Sequence, residues 1–381
     1  MFDEIIHYIK ELQAAEEGVI SLHTPFFGGN EKKYLLDCIE STYVSSVGSY
    51  VNTFEQKIAE FTGAKHAIAT VNGTAALHTA LLLSGVQSGD EVITQAVSFV
   101  ATSNAIAYCG AEPVFLDNDK ASLGLNPLAL EDFLNENTEQ GKDGFCYNRR
   151  TGKRISVCVP MHVFGHPSAI EAIVSVCDDF NIQVVEDAAE SLGSYYGERH
   201  TGTFGRLGIL SFNGNKIITT GGGGMVLTDD DQIARRAKHL TTTAKVPHAW
   251  EYSHDMLGFN YRLPNINAAL GCAQIEKIAE LLAQKRELAD QYRSYFESLE
   301  VGFVSEPSGC HSNYWLNAIL FTNLEQRNLF LEYSNENGVM CRPIWNLLPD
   351  LPMYKKCQTD SLDSARWLWE RVVNIPSSVR L

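Results

Sequence analysis

From about residue 66 to residue 230 the chain alternates short apolar runs with longer helical ones, and this alternation narrows the possible folds more than any other feature. Residues 66–71 (HAIATV) lead into a helical run at 74–84, residues 91–94 into 101–109, and residues 113–116 into 126–137. Residues 155–159 precede a helical run at 167–180, and 182–185 follow it. The short runs are apolar throughout rather than alternating in polarity, as strands covered on both faces require. Asn126 and Pro127 stand where an N-cap and a first-turn proline belong. Strand–helix repetition of this kind predicts a mostly parallel sheet with helices on both sides.

The texture changes near residue 245. Pro264 is expected to open a long helix reaching about residue 299, with Ala268, Ala269, Ile275, Ile278 and Leu281 on one face. Short strands at 314–321 and 339–342 and a helix near 361–372 complete the expectation. The division is therefore a large domain over 1–245, whose first 25 or so residues could pack on the smaller one, and a C-terminal domain over 246–381. Residues 142–154 (KDGFCYNRRTGKR) interrupt the alternation as a hairpin. Its Arg149, Arg150, Lys153 and Arg154 fit either a phosphate or a solvated charged surface.

Charge excludes some partners. Thirty Lys and Arg stand against 46 Asp and Glu, a net charge of −16, which repels nucleic acid and anionic membranes but leaves room for a small anion held locally. Nine cysteines without a C-x-x-C pair fit a reduced chain rather than a disulfide or zinc framework, and metal binding is not expected. No apolar run reaches 18 residues and the N-terminus lacks signal-peptide character, so a cytoplasmic protein is expected.

Three segments carry chemistry. Asn72-Gly73-Thr74 follows a strand and opens a helix, where free amides and the helix dipole favour a phosphate; an ordinary N-cap would use the same residues. Asp187 follows the apolar run 182–185, at the sheet edge where ligands bind, and could hold a proton on a heteroaromatic nitrogen or simply cap a helix. Lys216 follows Ser211 by five residues and precedes four glycines at 221–224. A lysine in such uncharged surroundings is a candidate nucleophilic amine, and the glycines fit close passage of the backbone by a ligand or a flexible loop. In this order, with the aromatic segment Ser98-Phe99-Val100 between, the set suits pyridoxal phosphate. A G-x-G-x-x-G fingerprint and a Tyr-x-x-x-Lys pair, which a nicotinamide-dependent sugar dehydratase or epimerase would need, are both missing.

Together with Phe54-Glu55, MHVFGHP, VVEDAAES, SFNGNKIITTGGGGMV and GFNYRLPNINAALGCAQ, these segments resemble the DegT/DnrJ/EryC1/StrS family of sugar aminotransferases, pyridoxal-phosphate enzymes of fold type I. The likeness runs through essentially the whole chain and is nearest to the branch that aminates a nucleotide-linked 2-acetamido-4-keto-6-deoxyhexose for legionaminic-acid-type sugars. GDP-linked 4-keto-6-deoxymannose and a UDP-linked bacillosamine precursor are the alternatives, and a non-catalytic sugar-nucleotide sensor is a further one.

The resemblance implies an α/β fold with a smaller α/β C-terminal domain, pyridoxal 5'-phosphate as cofactor, an amino-acid donor such as L-glutamate, and a homodimer with shared active sites. It makes Lys216 the lysine that bonds the cofactor and moves protons, and Asp187 the partner of the ring nitrogen. Gly73, Thr74 and Ser211 would take the phosphate and Phe99 would stack on the ring. Asn260 would reach the phosphate in the neighbouring copy. Ser45, His162, His166 and Arg262 are candidates for the substrate. Glu190 stands near the cofactor where many relatives carry Gln or His, and residues 221–224 replace the family's commoner Gly-Glu-Gly-Gly. Dehydratases of the family lack the lysine; Lys216 is present, which implies transamination.

Overall fold

The computed structural model describes residues 1–13 and 18–379. Its centre is a nine-stranded sheet. Along the main path the order is His66–Thr70, Gly224–Thr228, Leu207–Ser211, Gln183–Asp187, Arg154–Val159, Glu91–Gln95 and Glu112–Leu116. Every neighbouring pair from Leu207–Ser211 to Glu112–Leu116 is parallel, while Gly224–Thr228 runs antiparallel to both of its neighbours. Along this path the reversed strand starts where its neighbours end. Thr70, Gln95, Asp187, Ser211 and Gly224 therefore share one edge of the sheet.

The strand burial explains the unbroken apolar runs. Helices Gly73–Leu83 and Val100–Tyr108 cover one face with Val92, Val157, Val185 and Ile209, and Pro127–Asn137 and Ile170–Asp179 cover the other with Ile93, Val114 and Val184. Asn72 caps its helix by accepting from Ala75 N at 2.8 Å. Asn126 accepts from Leu128 N at 3.0 Å with Pro127 in the first turn, as the residue types predict.

Four antiparallel strands, Gly302–Phe303, Asn317–Leu320, Val372–Ile375 and Arg342–Pro343 in that order, form a second sheet. Helix Phe2–Leu12 buries Ile5, Ile6 and Ile9 in the same cluster as Phe321, Phe330 and Val373. A three-stranded sheet joins Cys310–His311 to Tyr195–Tyr196 and Arg199–His200, stitching residues before 245 to residues after it.

Some expectations change. The helix expected from Pro264 to about residue 299 is two, Asn265–Ile275 and Ile278–Phe296. The break coincides with side chains pulled into tertiary bonds: Gln274 donates to Phe26 O and Glu31, and Glu276 accepts from Asn30 and Tyr34. The strand expected at 339–342 is reduced to Arg342–Pro343, because Val339 and Met340 bond instead to Ser334 and Ile20. The basic hairpin exists, with Cys146–Asn148 against Arg154–Val159, but Arg149, Lys153 and Arg154 are already engaged. Arg154 pairs with Asp90, Lys153 lies 2.7 Å from Glu112, and Arg149 bonds Glu136 O at 3.0 Å. No described helix is long and apolar enough to cross a membrane.

Candidate active site

A cavity of about 850 Å³ opens at the shared strand edge, between the large sheet and the 342–348 segment of the smaller one. Gly73, Thr74, Phe99, Asp187, Glu190, Ser211 and Lys216 all line it. Residues scattered over more than a hundred positions of sequence converge there because parallel strands deliver their carboxyl ends to one side.

Asp187 is 4% exposed. Its Oδ2 accepts from Thr102 Oγ1 at 2.8 Å and its Oδ1 from Ala189 N at 3.2 Å. Burial pushes its carboxyl above the ordinary value, and the Thr102 hydroxyl, the Ala189 amide and the Lys216 charge oppose that push.

Lys216 follows a turn closed by its own N–H on Asn213 O at 3.0 Å. Its Nζ donates to Glu190 Oε1 at 3.1 Å and lies 3.8 Å from the centroid of the Trp315 ring. Trp315 is fixed at both ends: its Nε1 donates to Asn215 O at 2.6 Å, and its own carbonyl accepts from the buried Lys285 Nζ at 2.7 Å. Glu190 is buried, which raises its carboxyl from the ordinary value, while Lys216 and the Phe164 amide pull it down. That amide donates to Glu190 Oε2 at 2.9 Å from a residue held at φ 56°. A non-glycine residue kept in the left-handed region is strain that the surrounding structure must outweigh.

Also on the cavity wall, the helix opened by Gly73 leaves its first amides without helical acceptors. Gly73 sits so close to Ser211 that a Cβ there would lie 2.9 Å from the serine Cβ. Within the run at 221–224, Gly224 has a packing use. None of the four glycines lines the cavity, and a Cβ on Gly224 would meet Asn72 O at 2.4 Å and Gly73 N at 2.7 Å. The close approach is to the chain's own helix N-terminus.

The remaining candidates lie elsewhere. His162 and His166 are fully buried. His162 Nε2 bonds Glu186 Oε2 at 3.0 Å, and its Nδ1 accepts from Ser168 N at 3.0 Å, so both nitrogens are taken by the core rather than offered to the cavity. His166 packs edge-on against Tyr314 at 5.2 Å, and burial lowers its pKa to about 4. Ser45 is exposed and uses its carbonyl to accept from Asn265 N. Arg262 lies in an extended segment bridged to Thr70, and Asn260 is exposed and bridged to Thr242; neither lines this chain's cavity. Sequence reasoning missed Trp315, Trp345, Arg342 and Asn374, which come to the wall from the smaller sheet and its loops. Thr102 alone had a local signal, three residues after Phe99 in the first turn of a helix.

These residues fit pyridoxal phosphate. A buried carboxylate whose charge is opposed by burial gains from a protonated ring nitrogen, and Lys216 supplies a primary amine on the same wall. Free helix amides beside the Ser211 hydroxyl suit a phosphate dianion. A mostly parallel sheet carrying a lysine, an aspartate and a phosphate-type helix N-terminus at one edge defines the fold type I class of pyridoxal-phosphate enzymes.

Within that class, the chain belongs to the DegT/DnrJ/EryC1/StrS aminotransferase family, whose sequence profile matches residues 26–381. It is 36% identical to GDP-perosamine synthase of Escherichia coli O157:H7 over 94% of this chain and 93% of that one. It is 38% identical to EpsN of Bacillus subtilis (strain 168), a candidate pyridoxal phosphate-dependent aminotransferase, over 88% of this chain and 84% of the other. Among solved structures, Helicobacter pylori PseC, an aminotransferase involved in the biosynthesis of pseudoaminic acid, superposes with a TM-score of 0.85 at 25% identity, covering 94% of this chain and 93% of that one. The protein is a pyridoxal phosphate-dependent sugar aminotransferase.

Proposed function

We propose that the protein moves an amino group from an amino-acid donor, L-glutamate, to the C4 ketone of a nucleotide-linked 4-keto-6-deoxyhexose. The observation that carries this reading is the position of Lys216 Nζ, on the cavity wall with Asp187 and between Glu190 and Trp315. Bound there, pyridoxal phosphate supplies an electron sink for the carbon that loses its proton. Lys216 Nζ takes that proton from the donor carbon bearing nitrogen and, in the second half of the cycle, returns one to sugar C4. Asp187 keeps the ring nitrogen protonated, the amides of Gly73 and Thr74 with the Ser211 hydroxyl hold the phosphate, and Phe99 covers the ring. Glu190 accepts from Lys216 and so holds the amine in place when it carries charge.

GDP-linked 4-keto-6-deoxymannose is the first substrate to test, supported by the GDP-perosamine synthase relative over nearly the whole chain. The 2-acetamido sugar of a legionaminic-acid-type pathway is the second, supported by the resemblance of the sequence, along essentially its whole length, to that branch. Asn260, exposed in the single chain in a segment that also exposes Trp250, Tyr252 and Leu257, would reach the cofactor phosphate of a second copy, making the active unit a homodimer.

Borohydride reduction of the holoenzyme followed by peptide mass spectrometry should place a reduced adduct on Lys216. Incubation with each keto-sugar nucleotide and L-glutamate should then give an amino sugar with one of them. An adduct on another lysine, or no product from any 4-keto sugar, overturns the reading.

A further inference from the structure

Two cationic side chains are found among the described residues of the cavity wall, Lys216 and Arg342. Lys216 is already matched by Glu190. Asp187 and Glu190 bring two acids to the same wall, so the cavity has no surplus positive charge for the anionic molecules it must admit. The sequence candidates for that task do not line it: Arg262 faces the Thr70 segment, and Lys153 and Arg154 of the hairpin are spent on Glu112 and Asp90. Arg342 has no carboxylate partner among the described residues. It is exposed, and its Nη1 is steadied by Asn335 Oδ1 at 2.8 Å and Cys341 O at 2.9 Å, which leaves the rest of the guanidinium available.

A second donor stands beside it. Arg342 and Asn374 are direct cross-strand partners in the smaller sheet, so their side chains rise from the same face. Asn374 is 3% exposed, lines the cavity, and keeps its amide nitrogen buried with no acceptor among the described residues. A buried unpaired donor of that kind costs free energy unless something arrives to accept from it.

We propose that Arg342 and Asn374 together form an oxyanion-binding subsite on the small-sheet wall, which takes an anionic group of a substrate: a phosphate of the sugar nucleotide or a carboxylate of the amino donor. The inference rests on the aminotransferase reading and names which residues anchor its substrates. A planar guanidinium beside an amide N–H offers a fork of donors that matches either oxyanion, in the cavity the Gly73 helix also lines.

The test uses direct binding to the holoenzyme, which is independent of which keto sugar is aminated. Titration calorimetry with 2-oxoglutarate forms one arm, and with GDP and UDP the other. Arg342→Gln and the near-isosteric Asn374→Asp, which places a negative charge in the subsite, should each weaken one arm tenfold or more, with the cofactor absorbance unchanged. Arg342→Lys should recover part of the loss. Loss confined to 2-oxoglutarate identifies a carboxylate anchor, and loss confined to the nucleotides a phosphate anchor. Affinities within twofold of wild type in both arms overturn the subsite. Failure of every keto sugar to react, with binding still lost in the variants, would count against the amination reading alone.

Discussion

Lys216 Nζ stands 3.1 Å from Glu190 Oε1, an ion pair 13% and 2% exposed on its two sides, inside the cavity that a cofactor must enter. A neutral residue at the glutamate position would leave the amine without this counter-charge. Glu190 therefore stands within hydrogen-bond reach of the amine whenever that amine is free and carries its proton.

Replacing Lys216 by alanine should leave the fold and non-covalent cofactor binding in place while turnover falls by about a thousandfold or more. Stopped assays with excess L-glutamate and the accepted keto sugar measure the loss. Turnover near wild type would remove Lys216 from the mechanism.

Asp187 gives a pH-dependent signature. Burial raises its carboxyl, so in the folded chain it holds its proton more tightly than in the unfolded chain. The associated stability is fully present below the unfolded value, about 4, and is lost as pH rises through the folded one. Cofactor-free wild type should therefore lose more stability between pH 4 and pH 7 than the Asp187→Asn variant, as read by thermal melting at each pH. In the holoenzyme the same variant should cut kcat by about a hundredfold, because a neutral amide cannot hold the ring proton. Parallel melting curves for the two apo proteins would argue against the buried-charge account.

Glu186 tests whether His162 is a core residue. Its buried carboxylate accepts from His162 and from the amides of Gly202 at 2.7 Å, Phe204 at 2.6 Å and Gly205 at 2.7 Å. Glu186→Ala strands four donors at once and should cost about 3–5 kcal/mol in chemical denaturation. His162→Ala should destabilise without changing the substrate KM at temperatures where the protein remains folded. A KM that climbs with stability intact would return His162 to the substrate.

Shared sites make a quantitative prediction. If Asn260 serves the other copy, Lys216→Ala and Asn260→Ala proteins are each poorly active alone, yet a mixed dimer owns one complete site. Equal mixing with exchange should restore about a quarter of wild-type activity, since half the dimers carry one good site of two. No gain on mixing would place Asn260 in its own chain's function or in none.

Much of the large sheet was legible because each strand is covered on both faces, and a short, unbroken apolar run bounded by turn residues is what such a strand must look like. Asn126-Pro127 marked its helix for the same local reason. The two-helix break at Glu276 and Lys277 had no such mark; it follows from contacts with Asn30, Tyr34 and Phe26, some 240 residues away. Site residues on strand ends could be read one segment at a time. Trp315, Arg342 and Asn374 could not, because only the packing of the second sheet against the first brings them to the wall. At 221–224 the strongest demand for glycine is at Gly224, where a side chain would strike Asn72 O and Gly73 N, a packing requirement that composition does not show.

Two of the chain's five tryptophans, Trp315 and Trp345, line the cavity, one of them over the lysine amine. The protein thus carries its own optical probe. An absorbing cofactor seated between them would quench their emission by energy transfer, while Trp250, Trp367 and Trp369 lie off the wall as a steady background. Occupancy could be followed in real time without a label.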